Sequence, residues 1–252
     1  KFCILFIVTG FISIFKNIKM KLNSDKSVVM HITNKKHRFN YTYSLNNCTL
    51  TEVNEYKYLG VTITSHLTWS SHINKTCSSA SRKLGFLRHK LKTAPPEIKM
   101  LAYNAFIRPK LDYASVVWDP HIKKDVKKLE MVQRKAVRFI FNAYRRNDSP
   151  TTLIANNDIP TLQYRRAVAR LKFLHSLYFR KFNICPETYI RNRISIQTRH
   201  THSYTLELYF ARTNLFMNSF FPRTINDWNA LPFEAFCDNE NPDFDNFVSF
   251  RF

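Results

Sequence analysis

Three glycines serve a chain of 252 residues, and that scarcity limits its possible folds more than any other feature. Phosphate-cradling loops and tight active-site turns need glycine where backbone approaches closely or takes positive φ. A Gly-rich nucleotide loop is therefore excluded, and helices joined by longer polar connections are expected. Apolar residues at 44% and aromatics at 15% are enough to bury a core, so a disordered tail is not the main reading.

The formal charge is +21 and it is unevenly placed. Residues 82–223 hold 28 basic and nine acidic side chains, whereas residues 224–252 hold one and six. A basic block of this size attracts polyanions, nucleic acid foremost, against the plainer role of a solvated surface. The five cysteines (Cys3, Cys48, Cys77, Cys185, Cys237) are odd in number and never paired as C-x-x-C. That usage points to a reducing, intracellular setting, cytoplasm or nucleus.

Residues 2–15 (FCILFIVTGFISIF) are apolar between Lys1 and Lys16. The run is short beside the about 20 residues of a membrane span, and no small-x-small cleavage site follows it. Residues 1–19 are expected to be a translated flank or foreign join, with a genuine buried segment as the equal alternative and a signal peptide third. No membrane partner is expected.

Residues 26–64 read as strands: 27–33 is β-branched, Phe39, Tyr41 and Tyr43 alternate with polar neighbours, and 57–64 alternates again. Asn46-Asn47 falls where a hairpin turn belongs. From Ser70 onward the period becomes helical. Thr93-Ala94-Pro95-Pro96-Glu97 starts a helix that runs to about Arg108, where Pro109 ends or kinks it. Over 122–141, Ile122, Val126, Leu129, Val132, Ala136, Val137 and Ile140 share one face at about 100° per residue. Lys123, Lys124, Lys127, Lys128, Arg134, Lys135 and Arg138 cover the other, and Asp119-Pro120 supplies the cap. A further helix over 161–182 is expected to bury Tyr164, Val168, Leu171, Leu174 and Tyr178 and to expose Arg165, Arg166, Arg170, Lys172 and Arg180. The last sixty residues pair aromatics with prolines, as in an irregular segment folded back onto a core, ahead of an acidic end (Asp238, Glu240, Asp243, Asp245).

No zinc pattern is present, since His200 and His202 lack a second ligand pair at metal spacing. A polymerase or nuclease needs two or three carboxylates converging on Mg²⁺. The acids here are scattered among basic residues, and Asp112 and Asp119 read first as turn or cap residues.

At this point one family comes into view. Tyr56-Lys57-Tyr58-Leu59-Gly60-Val61, Leu67-Thr68-Trp69 and His72-Ile73 resemble the region after the palm of non-LTR (LINE-type, jockey-like) retrotransposon reverse transcriptases. So do the strings from Ala105 to Ala114, Trp118-Asp119-Pro120, and Leu129 to Arg138. Ser149-Pro150-Thr151, Arg165-Arg166, Arg170-Leu171, Ser219 to Arg223, Asp227-Trp228-Asn229 and Leu231-Pro232 follow in order. The similarity covers roughly residues 20–233. It implies that Lys26 is the lysine of the last palm motif and that Tyr58-Leu59-Gly60 is the hairpin gripping the primer end. It also implies that the helices beyond form the thumb. One departure stands out: no aspartate precedes Asp25, so the family's Tyr/Phe-Ala-Asp-Asp box is missing, along with fingers and endonuclease.

The expected architecture is α+β and mainly α. An apolar segment (1–19) precedes an end-of-palm-like antiparallel sheet (20–69), a thumb-like helical bundle (70–182) and an irregular C-terminal segment with an acidic tail (183–252). The function implied is sequence-independent binding of RNA, DNA or their hybrid, as the non-catalytic end of an RNA-directed DNA polymerase. The chain itself is expected to be inactive and to hold no cofactor; Mg²⁺ belongs to the intact parent, with its upstream palm and fingers. Candidate contacts are Tyr58, Leu59, Gly60, the seven basic residues of 122–141, and Arg165, Arg166 and Arg170. Tyr58, Tyr144 and Tyr164 are candidates to stack on bases, against the commoner role of core packing. An independent nucleic-acid-binding protein and a non-functional transposon relic are the alternatives.

Overall fold

The computed structural model of the chain describes residues 23–33, 41–193 and 203–236. The apolar run at 2–15, Phe39, the His200/His202 pair and the acidic end lie outside the described residues. The fold is mainly helical with small two-stranded sheets, and it divides into two compact units, Lys1–Lys75 and Thr76–Phe252.

In the first unit, β2 (Ser44–Leu45) and β3 (Cys48–Thr49) form an antiparallel hairpin whose turn is the expected Asn46-Asn47. Both asparagines take positive φ, 51° and 64°, as a two-residue hairpin turn of primed type requires. The stretch 57–64, expected as one strand, is folded in two. β5 (Glu55–Tyr58) turns back through Leu59 (φ 44°) and Gly60 (φ 86°) into β6 (Val61–Thr64). Glycine has no Cβ to resist that conformation, so Gly60 is where the run breaks. β1 (Val28–Val29) pairs in parallel with β4 (Thr51–Glu52), a departure from the all-antiparallel expectation. Behind the β5–β6 hairpin, the Thr62 N–H donates to Nδ1 of buried His72 at 3.2 Å. Burial, helped by the nearby Lys75 charge, pushes the His72 pKa down, so the ring that accepts this bond is neutral.

The second unit is built on three long helices. α1 (Ser70–Lys90) enters it at Thr76 and buries Ala80, Leu84 and Leu87. α2 (Pro96–Ala102) starts with proline in its first turn, as expected, but does not end at Arg108. A π-helical turn (Tyr103–Ile107) passes into α3 (Arg108–Asp112), with Pro109 in the first turn of α3. Proline has no N–H, and its ring clashes with the carbonyl four residues back. The wider turn, closed by the Arg108 N–H on the Tyr103 carbonyl, absorbs that conflict without breaking the rod. Ala114 at φ 51° then separates α3 from α4 (Ser115–Trp118).

α5 (Lys123–Ile140) buries Leu129, Val132, Ala136, Val137 and Ile140 of the stripe expected from its periodicity, while Ile122 is exposed and Val126 half-buried. Its N-cap is Ile122 rather than Asp119, whose carboxylate is drawn into the interior instead. α6 (Pro150–Asn156) is capped by Ser149. α7 (Leu162–Tyr178) lies against α3, α4 and α5. Its first turn is capped twice: Thr161 Oγ1 accepts from the Tyr164 N–H, and Glu130 of α5 accepts from the N–H groups of Leu162 and Gln163. A carboxylate there also meets the positive end of the helix dipole.

The C-terminal residues fold back onto α7, as expected, but they hold more regular structure than their prolines suggested. After the short α8 (Asn214–Met217), α9 (Phe220–Asn229) runs through Pro222, which sits in the first turn where no intrahelical N–H partner is lost. Val168, Leu171 and Leu174 of α7 close a core with Ile190, Leu206, Ile225, Trp228, Leu231 and Phe236. Asn229 clamps the Leu206 backbone in both directions at 2.9 Å, and Trp228 Nε1 donates to the Tyr204 carbonyl at 2.9 Å. Among the described residues, no helix is long and apolar enough to cross a membrane.

Candidate nucleic-acid interface

α5 presents charge because its opposite face is fixed. The buried stripe holds the helix against α2, α6 and α7, so the side chains one third of a turn away have nowhere to point but outward. Lys123, Lys124, Lys127, Arg134, Lys135 and Arg138 are exposed, and Lys128 is half-buried. Among the described residues, no ion pair engages the six exposed ones. Lys123 and Lys124 stand in the first turn, where the helix dipole disfavours cations, so dipole and side chains add to the same positive potential.

The arginines of α7 behave differently, and here the structure corrects the sequence reading. Arg166 and Arg170 are buried, not exposed, and Arg165 is mostly covered. Arg166 Nε donates to Asp119 Oδ1 at 2.7 Å, while Arg170 Nε and Arg223 Nη1 lie 2.9 and 3.2 Å from Asp119 Oδ2. Arg170 also reaches Asp227 at 2.9 Å and Thr224 at 3.3 Å. Arg165 pairs with Asp112, which Arg108 approaches at 3.7 Å. Asp119 does not cap α5, and Asp112 and Asp119 each pair with guanidinium groups instead. Loss of water dominates at the edge of this network. Burial raises the Asp112 carboxyl above its usual range and lowers the guanidinium of Arg165, each against the pull of its partner. Burial likewise lowers Arg223 against the opposing charge of Asp119.

One group of charged residues distant in sequence thus meets inside the second unit. Asp112, Asp119, Arg165, Arg166, Arg170, Arg223 and Asp227 come from separate strings of the sequence and form neighbouring ion pairs. Three carboxylates face four guanidinium groups there, and burial keeps Arg166 and Arg170 from reaching a phosphate.

Elsewhere the expected contact residues are open. Tyr58 and Leu59 are 58% and 73% exposed at the tip of the β5–β6 hairpin with Gly60, and Lys26 is exposed at the end of a 3-10 turn (Ser24–Lys26). Tyr144 is exposed under the Arg88 guanidinium, 5.3 Å from its ring centroid, so Tyr58 and Tyr144 are not core residues. Tyr164 is half-buried. Among the described residues, no three His, Cys, Asp or Glu side chains are grouped to hold a metal ion.

The sequence reading missed a groove between α1 and the π turn. It has a volume of about 520 Å³ and is lined by Ser79, Arg82, Lys83, Phe86, Leu87 and Phe106. The i, i+3, i+4, i+7 spacing of Ser79, Arg82, Lys83 and Phe86 was the available signal. No family model matches the chain, and neither does any curated protein or solved structure.

Proposed function

We propose that this chain binds RNA, DNA or their hybrid without sequence preference, as the thumb-like end of a non-LTR retrotransposon reverse transcriptase whose catalytic carboxylates lie upstream. One observation carries the binding: six basic side chains on α5 are exposed and, among the described residues, in no ion pair, while the arginines of α7 are covered and ion-paired. Charge exposed along one rigid rod suits a phosphate backbone, and phosphate contacts position nucleic acid without reading bases. The resemblance in ordered strings over residues 20–233 supports the polymerase assignment, and the exposed Tyr58-Leu59 hairpin tip suits contact with a primer end.

The test replaces Lys124, Lys127 and Lys135 by Gln, which leaves the buried stripe untouched. Affinity should fall alike for unrelated duplex sequences. The log–log salt slope should shrink by roughly two to three units, from about 0.9 per lost contact. Unchanged affinity and slope, with circular dichroism intact, would refute the reading.

A further inference from the structure

The groove between α1 and the π turn combines two features seldom found together on a surface. Phe86 and Phe106 are 62% and 51% exposed within it, and each charged group that lines it is a cation. Phe106 lies three residues after buried Tyr103 and seven after buried Lys99, so an uninterrupted α-helix would carry it along the buried stripe. The π turn widens the repeat and leaves the ring outside. Lys83 Nζ stands 5.7 Å from the Phe106 centroid, and Lys110 Nζ donates to Ser79 Oγ at 3.0 Å, bringing a third cation to the rim.

We propose that this groove binds single-stranded nucleic acid, with bases stacked on Phe86 and Phe106 and phosphates on Arg82, Lys83 and Lys110. A nucleotide carries both a flat π face and an adjacent anion, and the groove offers both counterparts at one place. A phosphate held by Lys83 brings its own base to the ring over which the ammonium already sits. Bases within a duplex are stacked on one another and cannot enter; a single strand can. The site deepens the nucleic-acid reading and rests on it, but it uses different residues from α5.

The experiment compares wild type with Phe86→Leu/Phe106→Leu and Phe86→Tyr/Phe106→Tyr in the full chain. Both rings are exposed, and leucine keeps apolar bulk. Fluorescence anisotropy is read with a dT12 oligonucleotide and with a 12-base-pair duplex. The Leu pair should weaken dT12 binding by about tenfold or more and leave duplex binding unchanged, and the Tyr pair should restore it. Equal weakening on both probes, or none on dT12, overturns the site. So does ring-dependent binding to vesicles containing phosphatidylserine with dT12 binding unaffected, which would assign the groove to an anionic lipid surface. Loss of duplex binding in the α5 triple variant is read separately, so failure of the α5 interface and failure of the groove are distinguishable.

Discussion

Guanidinium groups in this chain divide by what surrounds them. On α5, Arg134 and Arg138 face water; on α7, Arg166 and Arg170 face Asp119 in the interior. Sequence could not separate these cases, because both sit on helices rich in basic residues. Asp119 is 47 residues from Arg166 and 104 from Arg223, and such pairing is fixed only by tertiary packing. The Arg165–Asp112 pair permits a pH test. Burial already holds the Asp112 pKa above its unfolded value, so its ionised form costs stability as pH rises through the folded pKa. Arg165→Met removes the main opposing charge and raises that pKa further. The loss should therefore be about 1–2 kcal/mol at pH 7 and smaller near pH 4, because the cost of a raised carboxyl pKa grows as pH rises. Urea melts at the two pH values check this; an equal loss at both would mean that packing, not charge, is at stake.

At the scale of elements, the helices were more legible than their boundaries. The stripe on α5 is written in its apolar spacing, and Asn46-Asn47 announced its hairpin. The Leu59-Gly60 turn was hidden from the alternation, which runs through 57–64 as one strand does, and only the resemblance pointed to a hairpin at Tyr58-Leu59-Gly60. The π turn was hidden because proline in a helical pattern signals an end, and only packing on both sides keeps the rod continuous. α9 was hidden for a related reason, since Pro222 in a first turn looks like a loop residue. α1 holds a separate opportunity. Gly85 lies inside it, and a methyl group placed there meets nothing within 4 Å. Alanine loses less backbone freedom on folding, so Gly85→Ala should stabilise the chain by about 0.5–1 kcal/mol, visible as a higher melting temperature. A lower melting temperature would show that the backbone at this point needs glycine.

Over the whole molecule, the charge asymmetry is the largest electrostatic feature, with residues 82–223 strongly basic and four acids between Asp238 and Asp245. Long-range fields act on association more than on fold, because steering depends on summed charge while stability depends on pairs such as Asp119 with its arginines. The two effects can be separated. Replacing Asp238, Glu240, Asp243 and Asp245 by their amides removes four negative charges from a chain of formal charge +21. Association with duplex DNA in low salt should then quicken severalfold, since the approaching polyanion meets less repulsion. The advantage should shrink as salt rises, because the screening length falls from about 10 Å at 0.1 M to about 3 Å at 1 M. Stopped-flow association rates across that range give the answer. A salt-independent gain would point to direct competition between these acids and the phosphates for the same cations, and no gain at any salt would show that they act too far from the basic face to matter.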